Sequence, residues 1–476
     1  MIRHFRIVRA GAVLALLFLC VAVSVSPVSA QEPAQEQTPG DQALPAVGQS
    51  ADESSSSAKA EPSEVLYSGE LWTRSTLTGD WGGARNDLAL KGVTFDLSLT
   101  QVYQGVVSGG KKEDWEYGGR GNLTINVDTQ KIGLWPGGFL NLELEGNFED
   151  SVNALTGALL PVNSNQLYPF PPTDNFAVPN LTFAQFFSEY AGVFFGKVDI
   201  TFGDANEFAH GKGDEQFFNL ALNFIPLPGL VAPSSTLGAG VVLMPTKDPA
   251  AAVLDLFVIQ TNGDALTSGF EKLSADKLTF AAEGRVRTNF FEHTGHQLLG
   301  FMYSNAEFTA LNQNFFIIIQ PTLIEEKKGS WGMYYNFDQY LYEPRKGQGV
   351  GIFGRFGASD GDPNLIHYSY SLGVSAKGLI EGRPLDECGI GFYYMDITHP
   401  TLEGPFQTMS FLRDEHGIEA YYKIAITPWM ELTPDIQFVR PAQKHTFSIS
   451  DDGLPIIERE DIDSAVVVGL RLKTTF

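Results

Sequence analysis

Val466-Val467-Val468-Gly469-Leu470-Arg471-Leu472-Lys473-Thr474-Thr475-Phe476 ends the chain. Side chains of an extended strand alternate between two faces. Val466, Val468, Leu470 and Leu472 therefore share one face, while Arg471, Lys473 and Thr475 share the other. An apolar row backed by a charged row suits a sheet with lipid or core on one side and water on the other.

The same alternation runs upstream. Val93, Phe95, Leu97 and Leu99 alternate with Thr94, Asp96, Ser98 and Thr100. Leu123, Ile125 and Val127 alternate with Thr124 and Asn126; Leu140, Leu142 and Leu144 alternate with Asn141, Glu143 and Glu145. Leu278 and Phe280 lead into Glu283, Arg285 and Arg287, and Ile418, Ala420 and Tyr422 alternate with Glu419, Tyr421 and Lys423. A soluble sandwich would share this pattern, with its apolar rows turned into a core. Three features favour a membrane barrel. The strands read at about nine to eleven residues, the length of a tilted membrane strand. The polar rows carry full charges, as a wet lumen allows. Aromatic tracts such as Trp331, Tyr334, Tyr335 and Phe337, or Phe392, Tyr393 and Tyr394, suit interfacial girdles.

The fold class expected is all-β: a transmembrane antiparallel barrel of about 16 strands over 93–476, preceded by a short N-terminal helical segment. Connections support it, because short periplasmic turns should alternate with long outer loops. Tyr190-Ala191-Gly192 and Thr427-Pro428-Trp429 are short, whereas Asp150–Asn180, Asp199–Ser235, Asn305–Gly329 and Arg440–Asp461 are long. The apolar run Phe315–Ile319 sits oddly inside one of those long loops. The helix is expected over Trp81–Lys91, with Asp80 as N-cap, Gly92 as stop, and Leu88 and Leu90 packed at the barrel mouth.

The N-terminus reads as a processing signal over 1–30. Arg3, Arg6 and Arg9 precede an apolar run from Ala10 to Val25 and a small-residue cleavage site at Val28-Ser29-Ala30. Residues 31–66 are rich in Pro, Gln, Glu, Ala and Ser and form an acidic, disordered periplasmic leader; 67–92 lead into the barrel. Signal removal leaves Cys388 as the single thiol, so an intramolecular disulfide or a Cys-rich metal site is excluded. The net charge is −24 and charged residues make up 18%. So acidic a chain argues against a nucleic-acid partner.

Several motifs fail on context. Gly357-Ala358-Ser359-Asp360-Gly361 matches a serine-hydrolase elbow, but Pro363 and another strand follow where a helix is required. Gly349 to Gly354 matches the dinucleotide string but opens a strand. Asp360, Asp362 and Asn364 begin like a calcium loop, yet Leu365 and Ser371 stand where Gly and Glu belong. Looser calcium binding by acidic outer loops stays open. No catalytic set and no cofactor or metal site is expected.

Particular stretches resemble the carbohydrate-selective porin family (OprB type). Gly79-Asp80-Trp81-Gly82-Gly83-Ala84-Arg85 resembles its first segment. Phe195-Gly196-Lys197-Val198-Asp199, then Asn206 and Phe208, resembles a strand running into its large loop. Phe353-Gly354-Arg355-Phe356-Gly357, Ser359 to Asn364, Lys377-Gly378-Leu379-Ile380, Gly382-Arg383-Pro384 and Asp386 form the most specific stretch. Thr427-Pro428-Trp429 and Thr433 to Gln437 add to it, and the likeness spans roughly 69–476. It implies an outer-membrane barrel of a Gram-negative cell that passes monosaccharides such as glucose by facilitated diffusion. It also implies contact with lipid and lipopolysaccharide, and delivery through the barrel-assembly machinery by the terminal Phe476. Monomer and homotrimer both stay open.

A neutral sugar needs hydrogen-bonding groups and apolar faces, bound weakly enough to leave. The loop Asp199–Ser235 is the candidate for narrowing the pore, offering Asn206, Asp214, Glu215, Phe217, Phe218 and Asn219. Wall partners on the polar rows would be Glu143, Glu145, Lys197, Arg285, Arg287 and Arg355. A general or ion-selective porin, an outer-membrane barrel enzyme and a secreted β-rich protein are the competing readings.

Overall fold

The computed structural model describes residues 67–173, 176–201, 206–314, 324–403, 409–449 and 457–476. The expected signal (1–30), the leader (31–66) and the Phe315–Ile319 run lie outside them.

Sixteen antiparallel strands close into one barrel, each paired with its sequence neighbours. The first eight are β1 (Val93–Gly110), β2 (Trp115–Asp128), β3 (Gly138–Glu149), β4 (Ala177–Ser188), β5 (Ala191–Asp199), β6 (Ser235–Leu243), β7 (Ala252–Gln260) and β8 (Leu278–Phe290). Then follow β9 (His293–Thr309), β10 (Glu326–Arg345), β11 (Gln348–Ser359), β12 (Ile366–Lys377), β13 (Glu387–Ile397), β14 (Glu415–Thr427), β15 (Met430–Arg440) and β16 (Asp463–Thr475). Thr100 pairs with Lys473 and Val102 with Arg471, so β16 returns to β1 and no sheet edge stays open. No helix among the described residues is long and apolar enough to cross a membrane.

Short turns line one rim. Glu189-Tyr190, Phe291-Glu292, Lys346-Gly347 and Pro428-Trp429 each join two strands directly. The long connections all leave from the other rim, chiefly 150–176, 200–234, 261–277, 310–325, 398–414 and 441–462. The short-turn rim of such barrels faces the periplasm. Outward rows are apolar and exposed: Leu97, Phe280, Leu299, Phe301, Leu372, Ile390, Ile418, Phe438 and Leu470. Exposed rows of this length suit hydrocarbon rather than water. Tyr103 stacks on Trp115 at 4.9 Å and Tyr370 on Tyr394 at 5.1 Å, forming outward aromatic pairs. Two of the aromatics expected in girdles turn inward instead. Tyr334 and Tyr393 are buried, and Tyr334 donates to Glu283 at 2.7 Å.

The first segment is shorter than expected. Helix α1 spans Ala84–Leu90 and its N-cap is Gly83. Trp81, Gly82 and Gly83 all take positive φ, which breaks the helical path before Ala84. Asp80 caps a turn through the Gly82 N–H at 3.1 Å. Leu90 is exposed, while Arg85 and Ala89 are the buried face. Gly92, with φ 84°, stops the helix as the sequence indicates. Arg85 lies beside the seam. It donates to Thr76 Oγ1 at 3.0 Å and to the Phe476 carbonyl at 2.9 Å, with the Tyr67 ring 4.1 Å from its guanidinium.

The hydrophobic core lies inside the barrel. Leu160, Leu167, Phe208, Phe217, Leu222, Phe224 and Leu227 come from the loops 150–176 and 200–234. They pack on wall residues such as Phe353, Tyr393, Met395 and Tyr421.

Candidate functional site

The loop 200–234 leaves β5 and turns into the lumen. Its seat is built from missing side chains. A Cβ on Gly351 would meet the Phe208 ring at 2.1 Å, and one on Gly391 would meet Leu222 at 2.7 Å. Inward glycines on β11 and β13 thus let bulky loop residues approach the wall backbone.

Polar groups lock the seated loop. Arg355 on β11 donates to the carbonyls of Leu222, at 2.6 Å, and Ala209. Arg471 on β16 donates to Gly213 at 2.8 Å, Glu215 at 2.7 Å and Gln216 at 3.0 Å, with its guanidinium 4.4 Å from the Phe218 ring. Glu419 on β14 accepts the Phe218 and Asn219 N–H groups at 2.6 and 2.9 Å. Asn206 donates to Asn336 at 2.7 Å and to the Phe337 carbonyl at 2.9 Å. Buried charges are thereby satisfied by loop backbone, and loop backbone by wall charges.

Two charged groups flank the loop. In the first, Lys212 lies within a cage of carboxylates: Asp199 at 2.6 Å, Glu145 at 2.7 Å and Glu143 at 3.4 Å. Arg120 on β2 reaches Glu145 at 3.3 Å and Asp214 at 3.0 Å, and the Tyr168 ring lies 5.2 Å from the Lys212 ammonium. In the second, Lys423 meets Glu387 at 3.0 Å, Glu431 at 3.7 Å and Glu215 at 3.9 Å. Lys473 pairs with Glu215 and lies 4.0 Å from Asp214. This second group is less enclosed than the first: the Glu215 side chain is 34% exposed and Glu431 22%, against 1% for Glu145. Burial works against ionising Glu215, but Lys473 and Lys423 outweigh it and hold its carboxyl below the ordinary range.

The residues singled out in the sequence take different places. Glu215 stands part-exposed and Asp214 largely enclosed at the loop tip, and Glu143 and Glu145 help form the Lys212 cage. Asn206, Phe217, Asn219 and Arg355 are buried anchors of the loop; Phe217 is fully enclosed against Phe353 and Tyr421, as Phe218 is under Arg471. Arg285 is buried in the wall. Two expectations are corrected. Lys197 pairs across the sheet with the exposed Leu181, on the row facing away from the lumen. Its ammonium is held by the carbonyls of Ala265 at 3.0 Å and Thr267 at 2.5 Å. Arg287 lies at the periplasmic rim, 3.2 Å from Asp248 of a turn, far along β8 from the loop. Arg120, Lys212, Lys423, Arg471 and Lys473 were not singled out. Lys212 did carry a signal, a lone cation between Gly211 and Gly213 in an otherwise acidic stretch.

The strings rejected on sequence are structural. Ser359 donates to the Ile366 carbonyl at 2.7 Å, Asp360 accepts the Trp331 N–H at 3.1 Å and Asp362 accepts the Leu311 N–H at 3.1 Å.

A closed sixteen-stranded barrel with short turns on one rim, an apolar exterior and a long loop folded into a charged interior is an outer-membrane porin architecture. The chain belongs to the carbohydrate-selective porin, OprB family, whose model matches residues 112–476. It is similar to the high-pH structure of Pseudomonas putida OprB, at 19% identity, 85% coverage of this chain, 99% coverage of that chain and a TM-score of 0.69. The low-pH structure of the same porin gives 16% identity, the same coverages and a TM-score of 0.51. Porin B of Pseudomonas aeruginosa is 22% identical over 148 residues, which span 27% of this chain and 28% of that relative. The two solved structures support the fold.

Proposed function

We propose that this protein lets monosaccharides of the glucose class diffuse passively across the outer membrane through a lumen narrowed by the loop 200–234. The observation that carries this reading is the group of mixed sign where the loop tip meets the wall: Asp214 and Glu215 of the loop with Lys423, Glu431 and Lys473 of the wall, of which Glu215 and Glu431 are the most exposed. Alternating carboxylates and ammonium groups offer acceptors and donors side by side, which suits a neutral polyhydroxyl solute shedding part of its water. Pairing keeps the local field small, so no single ion is held tightly. Family membership supports the solute class. No catalytic step is proposed.

The proposal extends to the ends and the exterior of the chain. Residues 1–30 direct export and are removed, 31–66 form a periplasmic leader, and Phe476 guides barrel assembly. The outward rows meet lipid and lipopolysaccharide, as monomer or homotrimer.

Liposome swelling tests the proposal. Vesicles carrying the purified protein should swell faster in glucose than in a disaccharide, and faster than in an uncharged non-sugar of glucose size. Equal rates for glucose and the non-sugar would leave a general porin and end the sugar assignment. A second reading, a cation-preferring general porin, draws on the excess of carboxylates over ammonium groups at the tip. A reversal potential favouring cations together with equal swelling would establish it.

A further inference from the structure

Glu143, Glu145 and Asp199 place three carboxylates within 4.8 Å of one another, all buried in the wall of the lumen. Lys212 fills the centre, and its three N–H groups are committed to them at 2.6, 2.7 and 3.4 Å. That does not exhaust the cage. Glu143 Oε2 and Glu145 Oε2 are each buried without a hydrogen-bond partner. An unpartnered buried carboxylate oxygen is costly, because it has lost water and gained nothing. An ammonium offers three donors, whereas a divalent hard cation accepts six to eight oxygens and can engage both oxygens of one carboxylate.

We propose that this cage is a divalent-cation site, for Ca²⁺ in the first instance, whose resident occupant is the ammonium of Lys212. Lys212 is a displaceable ligand substitute. It sits between Gly211 and Gly213, at φ 86° and 77°, so the backbone either side of it can swing without a side-chain clash. The cation replaces one positive charge by two in a group where carboxylates outnumber cations, and it recruits the two idle oxygens. Tyr168, whose ring lies 5.2 Å from the ammonium, flanks the site and supplies an optical antenna. The inference rests on the cage geometry and can fail while the porin reading stands.

Terbium titration of the full-length protein in detergent, with excitation at tyrosine, tests it. Terbium is a hard, oxygen-seeking probe of calcium sites. The expected result is saturable sensitised emission that Ca²⁺ displaces. Tyr168→Phe should remove at least half of that emission, and Glu145→Gln should weaken binding at least tenfold. Lys212→Ala should tighten binding at least tenfold, because the competitor is gone. If Lys212→Ala fails to fold, the wild-type competition with Ca²⁺ and the Tyr168→Phe loss still decide. No saturable emission, or emission indifferent to both Tyr168→Phe and Glu145→Gln, would overturn the proposal and assign bound metal to surface carboxylates.

Discussion

Arg355 and Arg471 show how single residues govern the pore without facing it. Each is buried, and each spends its guanidinium on loop carbonyls. Arg355→Met removes two donors and leaves the Leu222 and Ala209 carbonyls short of partners, at a cost of about 1–3 kcal/mol in loop docking. Single-channel recordings should then show a larger and noisier open current than wild type. An unchanged current would mean that the apolar seat alone holds the loop. Glu215 gives a pH prediction. Its carboxyl lies below the ordinary value in the folded state. Its pairing with Lys473 and Lys423 therefore contributes above an ordinary Glu pKa of about 4.3, and the contribution is lost as pH falls through the depressed value. Open current should stay flat from about pH 8 to about pH 5, then change under stronger acid. Glu215→Gln should show the altered current already at neutral pH.

At the scale of elements, the strands were legible because period-two alternation is local: Thr94 to Thr100 or Leu140 to Glu145 needs no distant partner to be read. The loop Asp199–Ser235 was legible as a long connection and as the candidate for narrowing the pore. Its anchoring was not, since Phe208 meets Gly351 and Arg471 meets Gly213 only once the barrel has closed. Lys197 misled for a related reason. Beside Gly196, at φ 137°, it lies on the outward row, which alternation counted from Asp199 does not reveal. Tyr334 and Tyr393 misled because an inward aromatic and a girdle aromatic look alike in sequence. The turn Phe291-Glu292 supplies a test at this scale. Both residues take positive φ, at 59° and 65°, in a two-residue hairpin that asks for Asn or Gly. Glu292→Gly should relieve about 1 kcal/mol of backbone strain and raise the unfolding midpoint in detergent. An unchanged or lower midpoint would contradict the turn geometry.

The whole molecule is a wall that closes on itself around a filling of its own long loops. Closure is clamped where both ends of the barrel meet, by Arg85 on Thr76, Phe95 and the Phe476 carbonyl. Arg85→Ala should destabilise the barrel by about 2–4 kcal/mol through lost hydrogen bonds and the lost cation–π contact. Heat-induced unfolding followed by gel mobility should then occur at lower temperature. The filling reaches most of the wall: loops 150–176 and 200–234 pack on residues of β4 to β14, and 150–176 also packs on β1, β15 and β16, with the part-exposed Glu215 at the loop tip. The central claim is that solutes pass this tip and that sugars dwell there briefly. Ion conductance of the purified protein across a planar bilayer, with glucose titrated in, tests it most directly. The account predicts a steady conductance that falls saturably with glucose and less so in Glu215→Gln. A conductance that ignores glucose, in a protein that otherwise conducts, would contradict it.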